Sequence, residues 1–245
     1  MLRYCEALWH KVAVAPKNGS QAPEKQNPFL PPEPELTLAS LGSTHKLIFN
    51  KYCVVPLHTL IISNQFVPQT APLNLDDFGA CAEATRIVRD TPGAETEGWL
   101  LFYNSGEHSG ATQPHRHVQM IPGDNPPITT SFDGDQVRIF EGRLYGLVHL
   151  DCHGSQDLGL AWHTAYRSLT SILPSPNASY SLVFTRKWML LVPRRNEFYD
   201  TLSFNALTFA GYFLACSPQD LHRLCHHVDP LGVITAVTFP CPQWQ

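Results

Sequence analysis

No stretch of this 245-residue sequence approaches the ~20 consecutive apolar residues that a membrane-crossing helix needs, so no membrane span is expected. Basic residues are not in excess. The 17 Lys and Arg against 21 Asp and Glu leave a net charge of -4, which lacks the positive footprint that a DNA or RNA backbone demands. Nucleic acid is therefore excluded as a partner, while a small anionic ligand stays open. The seven cysteines are odd in number, scattered and without a Cys-x-x-Cys pair, a pattern of reducing compartments, so a cytoplasmic protein is expected. After Met1-Leu2-Arg3 the chain meets Glu6 and His10 instead of an apolar core, and no signal peptide is expected. No internal repeat occurs, and strands and helices do not alternate as regular βαβ units. These absences leave a globular chain, 43% hydrophobic, of the α+β class.

From Pro16 to Pro34 the sequence is crowded with Pro, Asn, Gly, Gln and Glu, a composition that wraps a surface. His45 to Asn50, Tyr52 to Leu57 and Thr59 to Ser63 then read as three short strands. Asn74, followed by Leu75-Asp76-Asp77, predicts a capped helix running to about Asp90. Trp99 to Tyr103 and Val118 to Ile121 are β-prone, and a mixed strand pattern covers Gln136 to Leu150. Leu158, Ala161, Trp162, Ala165, Leu169 and Ile172 recur at helical spacing, ahead of a hairpin made by Ser179 to Thr185 and Trp188 to Pro193. Asn205 to Ala215 and Gln219 to Val228 read as two further helices, the second introduced by Ser217-Pro218.

The segment from Asn104 to Gln119, NSGEHSGATQPHRHVQ, is a small-residue loop that runs into a His-x-His-x-Gln strand. Alternate strand residues share a face, so His115, His117 and Gln119 are expected on one side and Arg116, Val118 and Met120 on the other. A phosphate ester needs close backbone approach, hydrogen-bond donors and an in-line nucleophile. Gly106, Ser109 and Gly110 admit backbone N–H groups to phosphate oxygens, and Thr112 and Gln113 add side-chain donors. His117 can attack phosphorus as a neutral imidazole and form a phosphoramidate. His115 is expected to orient it or to donate to a phosphate oxygen. Gln119 can donate an amide N–H but cannot titrate, which favours group transfer over hydrolysis. Two blander readings compete: a pair of half-exposed strand histidines, and a two-His zinc site, for which no third ligand lies nearby in sequence. Lys51, after an apolar strand, is either a solvated turn residue or a phosphate-binding cation.

At these residues the chain resembles the histidine-triad superfamily, in particular its His-x-His-x-Gln branch and the ATP adenylyltransferase, or diadenosine tetraphosphate phosphorylase, family. The likeness runs from about Gln26 to Pro240, through Asn27-Pro28-Phe29-Leu30-Pro31-Pro32, His45 to Tyr52, Val55-Pro56-Leu57-His58, Trp188 to Arg194, Ser203 to Leu207 and Gly232 to Pro240. It implies a histidine-triad-like antiparallel sheet flanked by helices and elaborated at both ends. Residues 1–35 would form an N-terminal segment with a Pro-rich linker and 36–135 the catalytic core. Residues 136–245 would complete the sheet and substrate site of one compact domain. The implied reaction is reversible: diadenosine tetraphosphate plus phosphate gives ATP and ADP through a nucleotidyl-histidine. In it His117 is the nucleophile, assisted by Gln119 and His115. Lys51, Asn104, Gly110, Thr112, Gln113, Asn205 and Tyr212 match substrate-contacting positions. A divalent cation, magnesium or manganese, is implied without a distinct carboxylate motif, and no organic cofactor. Thr112 stands where serine is usual, and Cys216 where the family tends to carry lysine. The alternatives are a nucleoside diphosphate sugar transferase or phosphorylase of the same branch and a nucleotide-binding sensor with little catalysis.

Overall fold

Leu47, Ile61, Leu101, Val118, Leu182 and Met189 come from six separate stretches of chain, and one apolar layer buries them all. Only a sheet can present alternate residues of six strands to a common layer. The computed structural model describes residues 2–4, 26–91, 98–123, 126, 136–140, 143–150 and 157–240. Nine strands form the sheet: β2 (Thr37–Leu41), β3 (His45–Phe49), β4 (Thr59–Ser63), β5 (Trp99–Ser105), β6 (His117–Pro122), β7 (Gln136–Phe140), β8 (Arg143–His149), β9 (Tyr180–Phe184) and β10 (Trp188–Pro193). Their order is β2-β3-β4-β6-β5-β9-β10-β8-β7, and every ladder is antiparallel. The N-terminal and C-terminal halves of the chain thus share one sheet, joined where β5 meets β9.

Two helices, α1 (Leu75–Arg89) and α2 (Leu158–Leu169), cover the first face. Asn74 caps α1 reciprocally: its Oδ1 accepts from Asp77 N–H at 3.0 Å and Asp77 Oδ2 accepts from Asn74 N–H at 2.7 Å. Phe78 and Trp162 fill the layer beneath, and the indole N–H of Trp162 donates to the Thr185 carbonyl at 2.8 Å. The second face has two separate covers. Phe29 packs with Ile48, Leu60 and Ile62 at the β3–β4 end, while Leu202 to Ala210, Val233 and Val237 pack on Leu100, Phe102, Val183 and Leu190.

Three expectations need correction. Tyr52 to Leu57 is a turn: Pro56 lacks an N–H, Leu57 adopts φ 61°, and His58 N–H donates back to the Val55 carbonyl at 3.3 Å. Asn205 to Ala215 is not one helix. α3 (Ala206–Phe209) is a single turn, Gly211 reverses the chain at φ 90°, and β13 (Phe213–Ala215) runs parallel to β1 (Leu2–Tyr4). The expected strand through His115 begins only at His117, because His115 forms an isolated bridge with Pro68. A short hairpin, β11 (Phe198–Tyr199) and β12 (Leu202–Ser203), precedes α3. α4 (Pro218–His226) starts on Ser217 as expected, its hydroxyl accepting from Asp220 N–H at 3.0 Å. α5 (Pro230–Val237), capped by Asp229, was not anticipated. Most of residues 122–135, between β6 and β7, lie outside the described residues.

Candidate active site

β6 carries its nucleophile candidate between the two covers of the second face. His117 pairs with Ile62 of β4, and Gln119 sits between Leu60 of β4 and Phe102 of β5. Directly opposed residues share a face, so the two polar side chains emerge where the Phe29 cluster ends and the C-terminal cluster begins. Arg116 points the other way. It is buried against α1, with Nη1 2.8 Å from Asp77 Oδ2 and Nη2 donating to the Pro72 carbonyl at 2.9 Å. His45 Nε2 meets the second Asp77 oxygen at 3.0 Å, so the residue before His117 is anchored to the helix layer.

Three histidines have tautomers fixed by their partners. His117 Nδ1 lies 2.8 Å from the His115 carbonyl, which can only accept, so the proton sits on Nδ1 and the lone pair on Nε2. Phe29 flanks the ring at 5.4 Å between centroids. His115 is fully buried, and its ring meets Phe29, the side chain that also flanks His117. Its Nε2 donates to the Ser63 carbonyl at 2.9 Å, and its Nδ1 accepts from Asn27 Nδ2 at 2.9 Å. Burial lowers its pKa, opposed by the Ser63 carbonyl, so it is neutral. It orients His117 through its backbone oxygen, while its own ring faces Phe29 and Phe66.

The third is His58, at the end of the Val55-Pro56-Leu57-His58 run, where no residue spacing predicts a role. Its Nδ1 accepts from Val54 N–H at 3.3 Å, and its Nε2 lies 3.0 Å from Gln119 Oε1. Burial, reinforced by the neighbouring His117, brings its pKa down to about 4 against the opposing Gln119 bond, so the ring is neutral. Nδ1 must then be the acceptor and Nε2–H the donor. Gln119 receives that proton on its oxygen and keeps its amide N–H groups for the site.

The loop from Ser105 to Pro114 arches over β9 and α3. Gly106 has φ 85°, and a Cβ there would lie 2.9 Å from Ser179 Cβ; Gly110 has φ 80°, and its Cβ would lie 3.1 Å from the Phe204 carbonyl. Both positions need glycine for conformation and for closeness. Ser179 Oγ accepts from His108 N–H at 3.2 Å, and Arg194 Nη1 reaches the Ser109 carbonyl at 3.4 Å. Asn104 Oδ1 accepts from Ala206 N–H at 2.8 Å, and Asn205 Oδ1 caps α3 at Leu207 N–H, 3.0 Å away. The structure therefore brings together His117, Gln119, Asn104, Gly110 and Asn205. Thr112 is exposed and Gln113 half-buried on the loop. Tyr212 is half-buried against the C-terminal cluster. Lys51 is exposed and pairs with Glu33 at 2.7 Å, which raises its pKa. Its neighbour Asn50 donates from Nδ2 to His58 Nδ1 at 3.4 Å.

Among the described residues no group of three or more His, Cys, Asp or Glu side chains forms a metal cage, and no helix is long and apolar enough to cross a membrane.

Residues 1–132 match the model of the Ap4A phosphorylase N-terminal domain, and residues 143–240 that of the ATP adenylyltransferase C-terminal domain. Protein APA1 of Saccharomyces cerevisiae is 25% identical over 247 residues, covering 85% of this chain and 74% of its own. Diadenosine 5',5'''-P1,P4-tetraphosphate phosphorylase 2 of the same yeast is 23% identical over 260 residues, covering 89% and 78%. The crystal structure of yeast Ap4A phosphorylase Apa2 in complex with Ap4A superposes with a TM-score of 0.67 at 25% identity, covering 89% of this chain and 82% of that one.

Proposed function

Because the chain belongs to the Ap4A phosphorylase family, carrying both its N-terminal and its ATP adenylyltransferase C-terminal domain, we propose that it phosphorolyses diadenosine tetraphosphate to ATP and ADP through a nucleotidyl-His117. The observation that carries the covalent step is the hydrogen bond from His117 Nδ1 to the His115 carbonyl. With the proton held there, the Nε2 lone pair attacks the phosphorus of one adenylyl group. A P–N bond forms, the P–O bond to the remaining triphosphate breaks, and ATP leaves. The ring becomes a cationic phosphoramidate, whose Nδ1–H the His115 carbonyl stabilises. Gln119, its oxygen occupied by His58, offers N–H groups to the nonbridging oxygens as they gain charge.

Inorganic phosphate then attacks the same phosphorus, the P–N bond breaks, and ADP leaves with His117 regenerated. Neither Gln119 nor neutral His58 can take a proton from water at physiological pH, whereas phosphate arrives as an anion. That difference supports transfer to phosphate. The loop residues Gly110, Thr112 and Gln113, with Asn104, Asn205, Tyr212 and Lys51, are the proposed substrate contacts, and no step runs through a metal ion. A cytoplasmic location belongs to the same reading.

Rapid quench with diadenosine tetraphosphate in the absence of phosphate tests it. An acid-labile adenylyl adduct on His117 is expected, with turnover abolished and nucleotide binding retained in His117→Ala. Labelled phosphate should appear in ADP. AMP and ATP formed at a rate indifferent to phosphate would identify a hydrolase and overturn the reading.

A further inference from the structure

The ladder between β5 and β6 pairs Trp99 with Pro122, Leu100 with Ile121, Leu101 with Met120 and Phe102 with Gln119, and there it stops. Continued two steps, the same register would set Asn104 against His117. The space between them is taken by the side chain of Gln69, which is 4% exposed. Its Oε1 accepts from His117 N–H at 2.8 Å, and its Nε2 donates to the Asn104 carbonyl at 2.8 Å and the His117 carbonyl at 3.3 Å. A side-chain amide has the donor and acceptor of a peptide unit. It therefore stands in for the missing strand partner and satisfies both strands while keeping them apart.

The wedge is itself held. Gln69 N–H donates to the Pro114 carbonyl at 2.7 Å, its carbonyl accepts from the Tyr103 hydroxyl, and Arg116 N–H donates to Val67 at 2.8 Å beside it. Residues 67–69 thus grip both ends of the fork from which the glycine loop departs. We propose that Gln69 is a positioning residue for the transfer reaction: its amide sets the separation of Asn104 and His117, and so the aim of the His117 ring at the loop. This rests on the nucleotidyl-His117 reading and adds a residue outside the His-x-His-x-Gln motif.

Two variants separate positioning from mere support. Gln69→Met keeps the bulk and removes all three side-chain bonds. A displacement of the nucleophile near 1 Å slows attack on the order of 10²-fold, so adduct formation under rapid quench should fall by about that factor, while ADP titration changes little. Gln69→Glu supplies an internal rescue. A protonated carboxyl keeps the acceptor for His117 N–H and one donor for the Asn104 carbonyl, whereas a carboxylate opposes the Asn104 and His117 carbonyls. The ratio of its adduct-forming rate to that of the unsubstituted protein at the same pH should rise at least about tenfold from pH 8 to pH 6. A flat ratio in a folded variant, a Gln69→Met protein as fast as its parent, or failure of both variants to fold would each overturn the proposal. An unsubstituted protein that forms no adduct would instead remove the covalent reading. The fork is then judged by imidazole ¹⁵N shifts, where Gln69→Met should lose the Nδ1–H tautomer of His117 and an unchanged tautomer would refute the wedge.

Discussion

A neutral imidazole donates from one nitrogen and accepts at the other, so whichever side the protein fills dictates what the other side can do. His58 turns that rule on Gln119: Val54 N–H fills Nδ1, and Nε2–H is left for the amide oxygen. Replacing His58 by Leu should leave the amide free to flip and lower kcat on the order of tenfold, with little change in nucleotide Kd. His58→Gln, which retains an N–H donor, should recover most of the rate. Steady-state kinetics of the two variants checks this, and equal losses in both would assign His58 to packing alone. At this scale the shared strand face of His117 and Gln119 was legible from spacing, because a two-residue period is local. His115 was legible only in part: its role passes through a backbone oxygen, and its ring turns to Asn27 and Ser63 across long sequence separations. His58 and Gln69 were not legible, since nothing near them in sequence signals a partner 61 or 48 residues away.

Elements were readable where their reasons are local. The reciprocal cap at Asn74, the amphipathic run from Leu158 and the Ser217-Pro218 start all declare themselves within one turn of chain. Tyr52 to Leu57 misleads because its apolar residues pack as a turn against the second face, where Val54 and Val55 join the C-terminal cluster. Asn205 to Ala215 misleads because Gly211 takes a left-handed conformation and lets Phe213 to Ala215 pair with β1, a contact decided at the far end of the chain. The loop between β5 and β6 gives a prediction at this level. Gly110→Ala places a Cβ in a left-handed residue against the Phe204 carbonyl. It should cost about 1–3 kcal/mol of stability and lower kcat/KM through the shifted contact with Asn205. Urea denaturation and initial rates measure the two, and a variant with unchanged values would mean that the loop adapts.

Across the whole molecule, two neutral buried histidines make stability depend on pH. The folded-state pKa of His58, about 4, lies below the ordinary imidazole value of 6.5, so the unfolded chain binds more protons between those limits. The stabilisation is complete above 6.5 and is lost as pH falls through 4, about 3 kcal/mol for this group. His115 shifts in the same direction. Urea denaturation at pH 7 and pH 4.5 should show the loss, and His58→Gln should flatten it; an unchanged slope would place the acid sensitivity elsewhere. Arg194 acts at the same scale. It is 1% exposed, and its described hydrogen-bond partners are neutral: the Ser181 hydroxyl and the carbonyls of Ser109, Asn196, Glu197, Phe204 and Val237. Burial draws its pKa down to about 10, partly offset by Glu197, so it stays ionised at neutral pH. A chain with a net charge of -4 should repel a polyphosphate at long range. Beneath the Gly106–Gly110 loop, however, it stores a positive charge that mobile ions cannot reach and that salt screens weakly. Attraction generated there persists in concentrated electrolyte, so KM for diadenosine tetraphosphate should vary much less with added potassium chloride than it would for a site built from surface lysines. A steep salt dependence would show that exposed cations such as Lys51 do the attracting.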